Sequence, residues 1–171
     1  MRTRGPGRLP RLAGFDYSSP GFYFVTACTW RRLPIFGKTC GKGLLLSRIG
    51  QIVHEEWIRS VELRPTFLRD AFVVMPDHFH ALVALTARPD AEEVPRGLHR
   101  RPRSLSSIMG CFKAASTVRI NALRGTPGAP VWQSRFHDHV VRDDGALLRI
   151  RWYIQNNPRK LLEKLGLDSA G

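Results

Sequence analysis

Apolar side chains recur along the first half of the chain with spacings that predict strands around one helix. Residues 22–29 (FYFVTACT) are rich in aromatic and β-branched side chains, which predicts a first strand. Between residues 43 and 60 the apolar side chains recur at helical spacing, which predicts a first helix. Residues 67–75 and 78–86 predict two further strands, and the tight turn at Pro76 between them makes them a hairpin.

The second half of the chain predicts two more helices and a fourth strand. A helix is predicted over residues 104–124, with Ser104 as its N-cap and Gly125 at its C-terminal end. Residues 131–141 predict the fourth strand. A last helix begins after Asp143 or Asp144 and runs to Asn157, because the proline that follows ends or kinks a helix.

The resulting order, β-α-β-β-α-β and then a helix, predicts an α+β fold. Its core is a ferredoxin-like antiparallel sheet, and the additional C-terminal helix carries a tyrosine. The second hairpin strand has apolar side chains on both faces, so both faces of the sheet are expected to be covered. One face has Phe79, Ala81, Val83 and Leu85, and the other has His78, His80, Leu82 and Ala84.

This pattern divides the chain into one domain with flexible additions. Residues 1–20 are rich in arginine, glycine and proline and predict a basic flexible arm. Residues 21–166 form the single domain, which contains a long basic loop over residues 87–103. Residues 167–171 are a short tail.

Composition narrows the class of protein. The chain has 171 residues, of which 43% are hydrophobic and 24% are charged, as in an ordinary globular domain. It lacks a run of about 18 apolar residues, so no membrane span is expected. Its three cysteines form no CxxC pair, which argues against a disulfide framework and favours a reducing cytoplasm.

The net charge of +13 comes mainly from arginine, with 22 Arg against 5 Lys. Such an excess on one domain favours a polyanionic partner, most often nucleic acid, because the guanidinium fork suits phosphate. The arginines concentrate in two segments that are predicted to be irregular. The arm carries Arg2, Arg4, Arg8 and Arg11, and the long loop carries Arg96, Arg100, Arg101 and Arg103.

The sharpest local motif is His78-Phe79-His80. Residues i and i+2 of a strand project from the same face, roughly 6–7 Å apart, so the two imidazoles can converge on one metal ion. A pair of hydrogen-bonded histidines without metal is the simpler interpretation. His137 and His139 repeat the spacing in the fourth strand, and spacing alone does not choose between the pairs.

The last helix contains a candidate nucleophile, Tyr153. Asn157 follows four residues later and therefore lies on the same helix face. From the residues alone, the favoured interpretation is that Tyr153 is an amphipathic packing residue and Asn157 a cap before proline.

Five segments, in this order, resemble the REP-associated tyrosine transposases, a branch of the single-tyrosine HUH transposases. They are GFYFVTACTWRRLPIF, VVMPDHFHALV, SLSSIMGCFKAASTVRIN, VWQSRFHDHVVRDD and LLRIRWYIQNNP. The likeness extends over roughly residues 15–160. A lone HxH motif is weak, but the ordered set is specific.

The resemblance implies a site and a chemistry. His78 and His80 would bind a divalent metal ion, Mg²⁺ or Mn²⁺, with Asn157 as a third ligand, although these ligand types also suit zinc. The ion would polarise a scissile phosphodiester. Tyr153 would attack phosphorus, form a 5′-phosphotyrosine and release a 3′-hydroxyl. Arg149 or Arg151 would supply positive charge near the phenol.

The resemblance also implies a partner, single-stranded DNA with imperfect hairpins like REP palindromes. The four arginines of the arm and a set of further basic residues would hold this DNA, and Trp30 and Trp152 would stack on bases. The further set is Arg31, Arg32, Arg100, Arg101, Arg103 and Lys113. His137 and His139 are assigned to structure or to DNA contact, because the expected strand order places them on an edge.

Three other functions remain open at this stage. The first is a domesticated protein that binds hairpin DNA without cutting it. The second is a rolling-circle initiator or relaxase-like nuclease, and the third is a metallohydrolase that uses the HxH pair with water. The resemblance allows a homodimer, since some relatives share active sites between subunits. It also predicts a cytoplasmic, nucleoid-associated location.

Overall fold

A computed structural model describes residues 15–40, 43–87 and 104–166. The elements of these ranges, in chain order, are β1 (Gly21–Cys28), a 3₁₀ turn (Trp30–Arg32), β2 (Gly37–Cys40), β3 (Gly43–Leu46), α1 (Arg48–Glu62), β4 (Phe67–Met75), β5 (His78–Leu85), α2 (Leu105–Arg124), β6 (His137–Val141) and α3 (Asp144–Lys164). The arm arginines, the basic loop over residues 88–103 and the tail lie outside the described residues.

Within the described ranges, β4, β5, β1 and β6 form an antiparallel sheet in that spatial order. The predicted α+β fold is therefore confirmed, with the hairpin β4–β5 and with β1 inserted between β5 and the edge strand β6. In this arrangement β5, the strand of the HxH motif, is one of the two central strands of the sheet. His137 and His139 lie on the edge strand, as the expected strand order predicted.

The alternation of side chains in β5 produces two separate cores. Phe79, Ala81 and Val83 are fully buried in the large core, which also contains buried side chains of α1 and α2. On the opposite face Leu82 packs with Leu147 and Ile154 of α3. The C-terminal helix therefore covers the face that carries the two histidines.

Residues 15–20, which we assigned to the arm, contact this domain. Phe15 and Tyr17 pack against the large core, and the hydroxyl of Tyr23 donates a hydrogen bond to the carbonyl of Ser19. The amide of Leu105, at the start of α2, donates to the carbonyl of Tyr17.

The first predicted helix is shorter at its start, because residues 43–46 form a strand. The run of three leucines before Ser47 pairs as β3 with β2, a hairpin that the helical spacing concealed. The helix begins after Ser47, whose hydroxyl accepts a hydrogen bond from the amide of Gly50. A side chain at Gly50 would collide with the backbone carbonyl of Phe36, so this helix start fits closely against the segment before β2.

Two other predicted bounds are wrong. The fourth strand extends over His137–Val141 only, and residue Trp132 forms an isolated bridge with Thr29. The last helix continues through Pro158 to Lys164. Proline removes one backbone donor, and the buried side chain of Leu162 holds the following turn against the protein.

No helix in the described ranges is long and apolar enough to cross a membrane.

Candidate active site

The two histidines of β5 lie side by side, with ring centroids 4.6 Å apart. Each ring is held through Nδ1. His78 Nδ1 donates to the carboxylate of Asp77 at 2.6 Å, and His80 Nδ1 forms a hydrogen bond with the hydroxyl of Thr26 at 2.8 Å. Thr26 faces His80 directly across the β1–β5 ladder. Because a carboxylate only accepts, the proton of His78 resides on Nδ1 and the Nε2 lone pair is free to bind a cation.

Both imidazoles favour the neutral form. Burial, with smaller contributions from the charges of His78 and Arg32, lowers the pKa of His80 to about 3. Burial also lowers the pKa of His78, although the hydrogen bond to Asp77 opposes the shift. The neutral imidazole is the form that donates a lone pair to a metal ion.

Helix α3 brings Tyr153 to this pair. Ile154, the next residue, is buried against Leu82, which fixes the rotation of the helix. The hydroxyl of Tyr153 then lies 3.3 Å from Nε2 of His80, and the two ring centroids are 5.3 Å apart. Phe24 stacks on the His80 ring and meets the Tyr153 ring edge to face.

Asn157 follows Tyr153 by one helical turn and is 8% exposed. Its Nδ2 atom is buried and has no hydrogen-bond partner among the described residues. A buried polar atom without a partner costs free energy, and such atoms are few in folded proteins. No group of three or more His, Cys, Asp and Glu that fits a metal occurs in the described ranges. An amide binds a cation through its oxygen, so Oδ1 of Asn157 is the atom that would serve, and two imidazole nitrogens with one amide oxygen are a donor set that fits a divalent ion.

The loop after β1 places a guanidinium beside the histidines. Arg32 forms an ion pair with Asp77 at 3.0 Å and contacts the sulfur of Cys28 at 2.8 Å. Its charge lowers the pKa of both His78 and His80, so it lies within electrostatic range of each. Arg31 and Arg32 both have positive φ, 54° and 60°, a costly conformation for side chains other than glycine. The strained residues are therefore those that place the Arg32 guanidinium beside the two histidines.

Sequence analysis missed one positive charge that lies near Tyr153. Arg151 forms a two-pronged ion pair with Asp70 of β4, and Arg149 is directed toward Asp143 at 3.9 Å. Instead, Nζ of Lys160 lies 5.4 Å from the centre of the Tyr153 ring. Lys160 follows Tyr153 by seven residues, and this spacing was the available signal. It indicates a shared helix face only if the helix continues through Pro158.

Lys113 and Arg31 are further members of the predicted DNA-contact set that the structure describes. Lys113 donates to the backbone carbonyls of Gln133 and Ser134, and burial lowers its pKa. In the structure it holds the loop before β6. Arg31 is exposed near Trp30, while the arm and long-loop arginines lie outside the described ranges.

His137 and His139 are exposed on the edge strand β6. They share a sheet face with the central pair, because Thr26 pairs with His80 on one side and with His137 on the other. One strand, β1, therefore separates the edge histidines from the central pair.

Comparison with known proteins gives two likenesses of different kinds. No protein-family model matches the chain. A Haemophilus influenzae protein described as uncharacterized is 30% identical over 159 residues, and the match covers 88% of this chain and 87% of that protein. The solved structure of a REP-associated tyrosine transposase bound to a REP hairpin superposes with a TM-score of 0.56 and 23% identity. That match covers 82% of this chain and 67% of the other, and it shows a shared fold.

Proposed function

We propose that this chain, which belongs to one family with the Haemophilus influenzae protein and has the fold of the REP-associated tyrosine transposase, is a metal-dependent DNA strand transferase. It would cleave and rejoin single-stranded DNA at hairpins through a 5′-phosphotyrosine. The observation that carries the proposal is the distance of 3.3 Å between the Tyr153 hydroxyl and Nε2 of His80. A phenol on a separate helix that reaches a neutral histidine pair fits a nucleophile better than a packing residue.

The residues divide the work of the proposed reaction. The oxygen of Tyr153 forms a bond to phosphorus while the bond from phosphorus to the 3′-oxygen breaks, and the phenol proton ends on the released 3′-hydroxyl. A second 3′-hydroxyl reverses the same exchange and rejoins the strand. The phosphodiester energy is conserved in the tyrosine ester, so joining needs no nucleotide cofactor.

His78, His80 and Asn157 would hold the divalent ion, Mg²⁺ or Mn²⁺. When bound, such an ion polarises the phosphate and stabilises the charge that develops on its oxygens. Asp77 and Thr26 hold the two imidazoles through Nδ1, which leaves each Nε2 directed away from those hydrogen bonds. Hydrogen bonds of this kind fix the orientation of metal-binding histidines.

Arg32 would contact the phosphate. Its ion pair with Asp77 places the guanidinium next to the carboxylate that holds the His78 ring, and 51% of the Arg32 side chain is exposed. A guanidinium already committed by one edge to a carboxylate keeps further N–H donors for a phosphate oxygen. The strained loop conformation supports this role over a purely structural one.

The substrate assignment depends on charge and on the solved relative. The net charge of +13 favours a polyanion, and the similar transposase was solved with a REP hairpin. We therefore assign hairpin-bearing single-stranded DNA to this chain as well. That the arginines of the arm and the long loop hold this DNA remains a prediction.

A covalent-adduct assay tests the proposal. The protein, incubated with hairpin-bearing single-stranded DNA and Mn²⁺ or Mg²⁺, should yield a protein–DNA band that survives denaturing electrophoresis. Tyr153→Phe should remove the band and keep DNA binding. Tyr17→Phe, which deletes a hydroxyl elsewhere, is the matched control and should keep the band. An adduct that persists in Tyr153→Phe would reassign the nucleophile, and DNA binding without any adduct would favour a protein that only binds hairpins.

A further inference from the structure

The four tryptophans divide into two that are buried and two that are exposed. Trp57 and Trp132 are buried in the large core. Trp30 is 41% exposed and Trp152 is 51% exposed. An indole surface of this size is costly to leave in water, and Trp152 immediately precedes the candidate nucleophile.

Lys160 joins Trp152 and Tyr153 into one cluster. Its Nζ atom lies 4.7 Å from the centre of the Trp152 ring and 5.4 Å from that of Tyr153. The three residues share one side of α3 only because the helix continues past Pro158. The cluster therefore presents a flat aromatic face and a cation on the helix that carries the nucleophile.

These two groups match the two parts of a nucleotide. A base offers a π face to an indole, and the phosphate that follows offers a negative charge to an ammonium group. Inside duplex DNA each base face is covered by its neighbours, so stacking on Trp152 favours an unpaired base. Aromatic platforms within basic surfaces are a general means of binding single strands.

We propose that Trp152 and Lys160 form a subsite for one unpaired nucleotide of single-stranded DNA, next to the phosphate that Tyr153 attacks. The indole stacks on the base, and the Lys160 ammonium moves from the ring to the adjacent phosphate. This subsite rests on the proposed strand-transfer function, since it uses the same DNA strand. It adds a requirement for an unpaired base beside the scissile bond.

Binding measured in the uncleaving Tyr153→Phe background tests the subsite without turnover. Two single-stranded oligonucleotides of equal length and charge are compared, one of thymidine and one with abasic sugars in place of the bases. Stacking on one indole predicts an affinity ratio of about 5- to 150-fold in favour of thymidine. Adding Trp152→Ala should reduce this ratio several-fold, whereas Trp152→Phe should preserve most of it.

Lys160→Ala should act differently, because it removes a charge and leaves the stacking face. Affinity for both oligonucleotides should fall by a similar factor, and the dependence of log affinity on log salt should become shallower by about 0.7. Leu148→Ala is the control, since Leu148 is another exposed apolar side chain of α3. It should leave both the ratio and the slope unchanged.

The two proposals fail in different ways. An unchanged thymidine preference in Trp152→Ala would overturn the subsite, and a duplex bound with the same dependence on Trp152 would also overturn it. Neither result touches strand transfer, which is judged by the covalent adduct of the otherwise unaltered protein.

Discussion

Replacement of Thr26 by valine should weaken metal binding without reshaping the site. Valine has nearly the same shape as threonine, so the change removes the hydroxyl that forms a 2.8 Å hydrogen bond with Nδ1 of His80 and little else. His80 is only 5% exposed, so water does not readily replace the lost partner. The ring would lose the contact that fixes its orientation.

The expected magnitudes differ for stability and for metal binding. An unpartnered buried nitrogen costs about 1–3 kcal/mol. For a protein of this size that lowers the melting temperature by about 2–12 °C. Loss of the hydrogen bond behind a metal-binding histidine typically lowers metal affinity by about 10- to 100-fold. We therefore expect the Mn²⁺ concentration that gives half-maximal adduct to rise by a similar factor.

Two measurements check this prediction. Adduct yield is measured over a range of Mn²⁺ concentrations, and the melting temperature is measured with and without the ion, since a ligand of the folded state raises it. Thr26→Ser restores a hydroxyl and should recover both values. A valine variant with an unchanged Mn²⁺ requirement would refute the idea that Thr26 orients a metal-binding histidine.

Three further predictions follow from the site and its support. His78→Ala and His80→Ala should each abolish the covalent adduct, and His137→Ala should not; the reverse pattern would mean that the edge pair binds the metal. Ile154→Ala should lower the free energy of unfolding by about 2–5 kcal/mol in a urea titration, because it removes buried methyl groups between α3 and the sheet; a loss below 1 kcal/mol would show that this contact does not hold the helix. DNA affinity should fall steeply with salt as counterions are released, and a flat response would argue against arginine contacts to phosphate.

The sequence predicted the architecture because each main element had an unambiguous signal. The alternation in β5 assigned Phe79 and His80 to opposite faces, and the order of elements placed β5 next to the middle of the sheet. Two covered faces followed from the same alternation. These features depend on local periodicity and on simple rules of chain connection.

The rest depended on tertiary contacts that no local pattern contains. The three leucines before Ser47 fit a helix as well as a strand, and pairing with β2 decides between them. Pro158 predicts a helix end in isolation, but the buried contact of Leu162 sustains another turn. Consequently Lys160 was not expected near Tyr153. The ion pair of Arg151 with Asp70 joins residues 81 positions apart, which spacing along one helix does not reveal.

The carboxylate of Asp77 has two partners in this fold. It accepts a hydrogen bond from the His78 ring and also forms an ion pair with Arg32. A phosphate that shared the guanidinium with Asp77 would leave more of the carboxylate's charge to the imidazole, which would strengthen that hydrogen bond and make the ring a better electron donor. DNA bound at Arg32 would then raise the affinity of the proposed site for its cation. By thermodynamic reciprocity the cation would raise the affinity for DNA by the same factor.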